Sequence, residues 1–286
     1  MPHNHRRTFG ITGFPLGHSL SPALHTWVYG QIGLAADYRT FETPPDKLAE
    51  FMAKVRKEPI HGLSVTIPHK QTVMEHLDGL SELAKVVGAV NTLYWNDKLL
   101  MGTNTDVAGF LSPLEKRKFM PEAALVLGSG GAARAVLAGI RTLNPDSDIF
   151  IASRGMQKAV ALADDFMEIP ISWEKRTEVQ VNLVVNTTPL GMTGTLGETE
   201  TPLGKAGFEK ILPSDGSGLV YDLVYRPLLT PFLLAAQSCS CQTQDGLDML
   251  LAQGLAQIKL WTDPQYHEKL PSAAEARERI LRNNLL

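Results

Sequence analysis

Two residues of this chain have types and settings suited to moving a proton at a carbonyl group. Lys70 follows Ser64-Val65-Thr66-Ile67-Pro68-His69, directly after a strand-like run, and Pro68 restricts the backbone from which the lysine projects. Asp106 closes Gly102-Thr103-Asn104-Thr105-Asp106, between a hairpin-like segment and a helical pattern. An ammonium set over a developing alkoxide lowers the cost of that charge. A neighbouring carboxylate fixes the ammonium's direction and accepts a hydroxyl hydrogen bond. Each residue also has a plain reading, Lys70 as a surface solubility residue and Asp106 as an N-cap or first-turn carboxylate. Whether the two side chains meet is left open by sequence alone.

A second constellation reads as a nucleotide site. The apolar run Ala124 to Leu127 ends in Gly128-Ser129-Gly130-Gly131-Ala132-Ala133, and a helical pattern then carries Val136, Leu137 and Ile140 on one face. This is strand, tight glycine turn, helix. Gly128 permits the sharp turn, Gly130 lets the backbone approach a pyrophosphate, and Ala133 lets the helix lie close to its strand. The open N–H groups of the helix start face the phosphates. No Asp or Glu occurs from Ile149 to Val160, where an NAD site wants one for the ribose hydroxyls. Arg154 and Lys158, spaced i, i+4, converge instead on a 2′-phosphate, so charge favours NADP.

The elements that must position these residues alternate along the chain. Thr8 to Thr12 reads as a buried strand. Ser21 reads as an N-cap, with Pro22 opening a helix through Leu24, Trp27, Val28 and Ile32. Strands follow at Tyr38 to Phe41 and Gly62 to Ile67, with a helix from Lys47 to Arg56 between them. Asn91 to Trp95 and Leu99 to Gly102 form a hairpin, and a helix from Thr105 or Asp106 stops before Glu115-Lys116-Arg117-Lys118. After the glycine turn come strands at Asp148 to Ala152, Val181 to Val185 and Gly218 to Leu223. Helices are expected at Met156 to Phe166, near Phe208, at Pro231 to Ala236, through Leu247 to Ile258, and at Ala274 to Arg282. The fold class is α/β, with two domains whose strands and helices alternate around mostly parallel sheets. A dinucleotide lying across strand ends aims its reactive ring at a second wall, so an interdomain cleft is expected.

Composition narrows the function classes. The 286 residues are 44% hydrophobic and 20% charged, a balance that builds a large core and is long enough for two domains. A net charge of -3, without a basic tract, gives no electrostatic case for nucleic acid or an anionic membrane. Cys239 and Cys241 make neither a disulfide framework nor a zinc spacing, which fits a reducing, cytoplasmic setting. No stretch approaches a membrane span, and Met1 to Arg7 reads as a loose leader in which His3 and His5 are surface residues.

Several separated motifs, in order, resemble the shikimate dehydrogenase family: Gly13 to Pro22, Ser64 to Lys70, Gly88 to Thr92, Asn104 to Phe110, Tyr221 to Tyr225 and Gly246 to Gln253, together with the glycine-rich unit. The likeness spans residues 8 to about 260. It implies a substrate-binding catalytic domain over 1–105 plus 242–286 and a Rossmann-type NADP-binding domain over 106–241, with C-terminal helices packing back on the first domain. The implied activity is NADPH-dependent reduction of 3-dehydroshikimate to shikimate, a step of aromatic amino acid biosynthesis, without a metal, in a monomer or homodimer. Lys70 and Asp106 match the catalytic pair. Ser19, Ser21 and Thr66 match the residues that hold the substrate carboxylate, Asn91 a residue on the ring hydroxyls, and Tyr225 and Gln253 two further substrate contacts. On the cofactor side the resemblance implies Gly128, Ser129, Gly130, Gly131, Ala132, Ala133, Ser153, Arg154, Lys158, Thr187, Met192 and Met249. The chain departs from the family at Ser64, where Asn is common, and at Ser153-Arg154-Gly155, where Asn-Arg-Thr is usual. His25 and His69 are expected at the surface or behind the site. A quinate/shikimate dehydrogenase using NAD, and a non-catalytic nucleotide-sensing homologue, stand as alternatives.

Overall fold

In the computed structural model, which describes residues 6–17 and 19–283, the chain divides into two units, Met1–Gly109 with Leu251–Leu285 and Phe110–Leu250. The leader, with His3 and His5, lies outside the described residues, as does His18.

The first unit holds a six-stranded sheet made of β1 (Arg7–Gly13), β2 (Ala36–Glu42), β3 (Ile60–Val65), β4 (Gly79–Leu80), β5 (Thr92–Asn96) and β6 (Leu99–Thr103), in the order β2-β1-β3-β5-β6-β4. The β1–β2, β1–β3 and β4–β6 pairs are parallel, whereas β3–β5 and β5–β6 are antiparallel. The sheet is therefore mixed, because a hairpin is inserted beside β3. Asn96 pairs with Leu99, so Asp97 and Lys98 form the loop, and Asp97 takes the left-handed backbone (φ 53°) that aspartate tolerates. On one face of the sheet, Leu48, Met52 and Val55 of the helix Leu48–Val55 cluster with Leu63, Val65, Leu93 and Leu100. On the other, Trp261 stacks on Phe9 at 5.3 Å, and its indole N–H donates to the Leu93 carbonyl at 2.9 Å. Gly62 makes room for that ring: a Cβ there would lie 2.5 Å from Trp261 Nε1.

The second unit's sheet is wholly parallel. Its strands are β7 (Ala123–Leu127), β8 (Asp148–Ser153), β9 (Ile169–Ser172), β10 (Leu183–Asn186), β11 (Leu219–Asp222) and β12 (Gln242–Gln244), in the order β12-β11-β10-β7-β8-β9. This is the doubly wound order, with its reversal between β7 and β10, where the fold class places dinucleotides. The helix Gly131–Leu143 buries Ala133, Val136, Leu137 and Ile140, as its periodicity requires.

Three short strands, β4, β9 and β12, go beyond the sequence expectation, since segments of two to four residues carry too little alternation to read. The helix from Asp106 does not stop before the charged cluster but runs to Arg117. Buried Leu114 keeps that turn docked, and the Arg117 guanidinium donates to Gln244 Oε1 and the Thr243 carbonyl. No helix among the described residues is long and apolar enough to cross a membrane.

Candidate active site

The Lys70 ammonium donates to Asp106 Oδ2 at 2.5 Å, and the two side chains are only 13% and 8% exposed. Lys70 is thus not a surface solubility residue. Its root is held by the Val90 N–H, which donates to the Lys70 carbonyl at 2.7 Å. Asp106 is the first residue of its helix but not the cap. Asn104 Oδ1 accepts from the N–H groups of Asp106 (3.0 Å) and Val107 (3.4 Å), while its amide nitrogen donates to the Ala89 carbonyl at 2.9 Å. With capping done by Asn104, both carboxylate oxygens of Asp106 turn to side chains.

Asn91, buried immediately before β5, supplies the second partner. Its Nδ2 donates to Asp106 Oδ1 at 2.8 Å and to Thr105 Oγ1 at 2.9 Å, and lies 3.3 Å from Gln253 Oε1. Its Oδ1 accepts from the Thr105 N–H and the Thr92 hydroxyl, each at 2.7 Å. Lys70, Asp106, Asn91 and Gln253 are therefore brought together in the first unit. An ammonium with one of its three donors committed to a carboxylate has two left for an incoming oxygen, in surroundings mostly closed to water.

Ser21 is 4% exposed and is the first helical residue rather than the N-cap; Leu20 occupies the cap without a side-chain bond. The oxygen that serves this helix start belongs to Ser19, whose Oγ accepts the Ser21 N–H at 3.3 Å. Burial raises the pKa of the nearby Tyr38 phenol, and the Ser64 and Ser21 hydroxyls oppose that rise. Thr66 is half-buried, with its N–H on the Thr12 carbonyl at 2.9 Å, and Gly13 gives it room, since a Cβ there would sit 2.3 Å from Thr66 Cγ2.

Neither histidine lies at the surface. His69 is buried with Nε2 2.7 Å from the Thr43 carbonyl. His25 stacks on Tyr38 with ring centroids 4.1 Å apart, and burial pushes its pKa down to about 3, opposed by the Gln257 amide. Both belong to the frame of the site. Sequence reading also missed Thr105, Asn104, Tyr38 and Gln257. Asn104 carried a usable signal, a cap-type residue immediately before a helix, and Gln257 lies one helical turn beyond Gln253.

In the second unit, Gly128 has φ +118°, and a Cβ on it would lie 2.3 Å from Thr187 Oγ1, which donates to the Leu127 carbonyl at 2.8 Å. A Cβ on Gly130 would meet no protein atom within 4 Å, and no side chain caps the helix that begins at Gly131. The open first turn and the free space above it suit a pyrophosphate. Ala133 is fully buried against the strand; Gly131 and Ala132 are half-buried at the helix start. Ser129 and Ser153 approach with hydroxyls 3.0 Å apart, at the ends of adjacent strands β7 and β8. Arg154 and Lys158 are exposed and make no ion pair among the described residues, so their charge is available to an anion. Met192 is half-buried, its carbonyl accepting the Thr195 hydroxyl at 2.8 Å; Tyr225 is half-buried and Met249 buried, both in the second unit.

Beneath the loop that follows β10, Asn186 and Asp222 form a buried pair. Asp222 accepts from Asn186 Nδ2 (2.9 Å), the Val224 N–H (3.0 Å) and the Thr230 hydroxyl (2.6 Å). Burial outweighs these bonds and raises the Asp222 pKa to about 7.

Comparison with known proteins shows which family the chain is similar to. Residues 11–93 match the family model described as the shikimate dehydrogenase substrate binding domain. A shikimate dehydrogenase (NADP(+)) of Oleidesulfovibrio alaskensis is 47% identical over 261 residues, covering 91% of both chains. One of Maridesulfovibrio salexigens is 41% identical over 280 residues, covering 96% of both. Among solved structures, the shikimate 5-dehydrogenase of Thermus thermophilus, in complex with NADP(H) and shikimate, superposes with a TM-score of 0.82 at 35% identity, covering 98% of this chain and 100% of that one.

Proposed function

The chain belongs to the shikimate dehydrogenase family, and on that premise we propose that it catalyses the reversible, NADPH-dependent reduction of 3-dehydroshikimate to shikimate. The observation that carries this reading is the Lys70–Asp106 pair at 2.5 Å, enclosed by Asn91, Thr105 and Gln253.

NADPH, when bound, supplies the hydride that reduces the ring ketone. Lys70 donates its proton to the ketone oxygen as negative charge gathers there, and becomes the amine that accepts a proton in the reverse direction. Asp106 holds the Lys70 ammonium in place. A positioned proton donor of this kind supplies about 10²–10⁴ in rate. Asn91 and Gln253 hold the ring hydroxyls, with Tyr225 as a further contact. Ser19, Ser21 and Thr66 present neutral donors to the carboxylate, which suits an anion that must be released again.

Ser129 to Ala133 receive the pyrophosphate at the open start of the Gly131–Leu143 helix. Arg154 and Lys158 take the 2′-phosphate, with Ser153 beside them, and Thr187, Met192 and Met249 line the nicotinamide end. The exposed cation pair and the absence of an acidic residue from Ile149 to Val160 favour NADP over NAD. A cytoplasmic location agrees with Cys239 and Cys241, both free thiols.

An absorbance assay of nicotinamide reduction tests the reading, with shikimate or quinate offered against either oxidised cofactor. Shikimate with NADP is the expected fastest pair. Cofactor binding without turnover of either alcohol would rule the enzyme out.

A further inference from the structure

Behind the candidate site runs a buried series of polar side chains that the reaction outlined above does not use: Tyr38, Ser64, Gln257 and Thr92, all in the first unit and none more than 9% exposed. The proton directions in this series follow from one fixed point. The Thr105 backbone N–H can only donate, so the atom of Asn91 that it meets at 2.7 Å is the amide oxygen, and Nδ2 faces Asp106. The Thr92 hydroxyl, 2.7 Å from that same oxygen, must donate to it. Thr92 Oγ1 then has lone pairs to offer and takes the Gln257 Nε2 at 3.0 Å, a nitrogen that also reaches the Asn91 carbonyl at 3.3 Å. This sets the Gln257 amide with Oε1 toward Ser64, whose single proton goes to it at 2.7 Å. Ser64 in turn accepts from the Tyr38 phenol, also at 2.7 Å. Every bond from Tyr38 to Asp106 thus points the same way.

Within this series, Gln257 is the member that reaches both halves. It comes from the helix Leu247–Trp261, contacts β3 through Ser64 and β5 through Thr92, and carries its acceptor and its donor on different atoms. Without it Ser64 loses its acceptor, Thr92 loses its donor, and the series breaks into two pieces free to reorient. Buried networks of this kind rigidify a site only while every member is satisfied.

We infer that Gln257 is a positioning residue of the reaction: its amide holds β3 at Ser64, two residues before Thr66 at the carboxylate end of the substrate pocket, in register with the Asn91–Asp106–Lys70 end. The inference rests on the shikimate dehydrogenase reading. It concerns how the pocket is held, so Gln257 touches no reacting atom.

The test is steady-state kinetics of the full chain with shikimate and NADP. In Gln257→Ala, kcat falls about tenfold and the KM for shikimate rises, while the KM for NADP is unchanged, the scale expected for one broken link in a coupled network. Ser64→Asn, added to that variant, returns an amide to the vacated space from β3 and recovers most of the loss, so that the two changes are strongly non-additive. A merely structural role would move stability without this split or this rescue. Should Gln257→Ala not fold, Gln257→Met, close in length, is read in the same way. A folded variant with wild-type kcat and shikimate KM, or a double variant no better than the single one, overturns the inference. A wild-type chain that turns over neither alcohol overturns the dehydrogenase reading itself and the inference with it.

Discussion

Lys70 and Asp106 lie 36 positions apart in sequence and meet at 2.5 Å because Asn104 relieves Asp106 of the capping that its place at the head of a helix would otherwise demand. Catalysis should follow that contact. Lys70→Ala is expected to lower kcat by about 10²–10⁴, the range lost with a positioned proton donor, with secondary structure intact by circular dichroism. Turnover near the wild-type level in that variant would remove Lys70 from the reaction.

Asn104 should show a double effect. Asn104→Ala strips the helix of its cap and the Ala89 carbonyl of its donor, which costs about 1 kcal/mol or somewhat more. The freed N–H groups then draw the Asp106 carboxylate away from Lys70. Urea unfolding and kcat, measured on the same preparation, should both decline; a stability loss with unchanged kcat would show that Asp106 keeps its place unaided.

The cofactor preference should reside in two exposed cations. Arg154→Ala and Lys158→Ala are each expected to raise the KM for NADP roughly tenfold, in the range of charge-assisted bonds at an accessible site, and to leave the KM for NAD nearly unchanged. Arginine, with its planar fork, should matter more. Equal effects on both cofactors would place the two residues away from the 2′-phosphate.

Stability should depend on pH through Asp222. Its folded pKa, about 7, lies above the ordinary carboxylate value of 3.8, so the folded chain holds a proton that the unfolded chain releases. Folding stability from this residue is therefore complete below about pH 4 and is lost as pH rises to about 7, by up to roughly 4 kcal/mol. Asp222→Asn keeps a neutral group in the same place. The variant should match the wild type near pH 4 and exceed it above pH 7 in thermal or urea unfolding; a difference between the two that is flat across that window would contradict the assignment.

Much of the fold was legible because its signals are local. The turn at Gly128 joins an apolar strand to a helix whose buried face recurs at the right spacing, and the helix Met156–Phe166 follows its sequence pattern to the residue. Misreadings arose where a distant partner decides the outcome. Ser21 has the type and place of a cap, yet it sits one position inside the helix and Ser19 serves the helix start. The charges after Leu114 read as a helix end, but Arg117 finds Gln244 and keeps the last turn wound. Gln257 gave least away: an amide in an apolar helix has no local pattern, and its partner Ser64 is 193 positions distant.

The residues around Lys70 share one further property, that Asn91, Asp106, Gln253 and the ammonium itself all belong to a single folding unit. On the proposed reading, the contacts to the alcohol other than Tyr225 are therefore in place before any nucleotide arrives. Shikimate should release measurable heat on titration into the cofactor-free enzyme, and the two ligands need not load in a compulsory order.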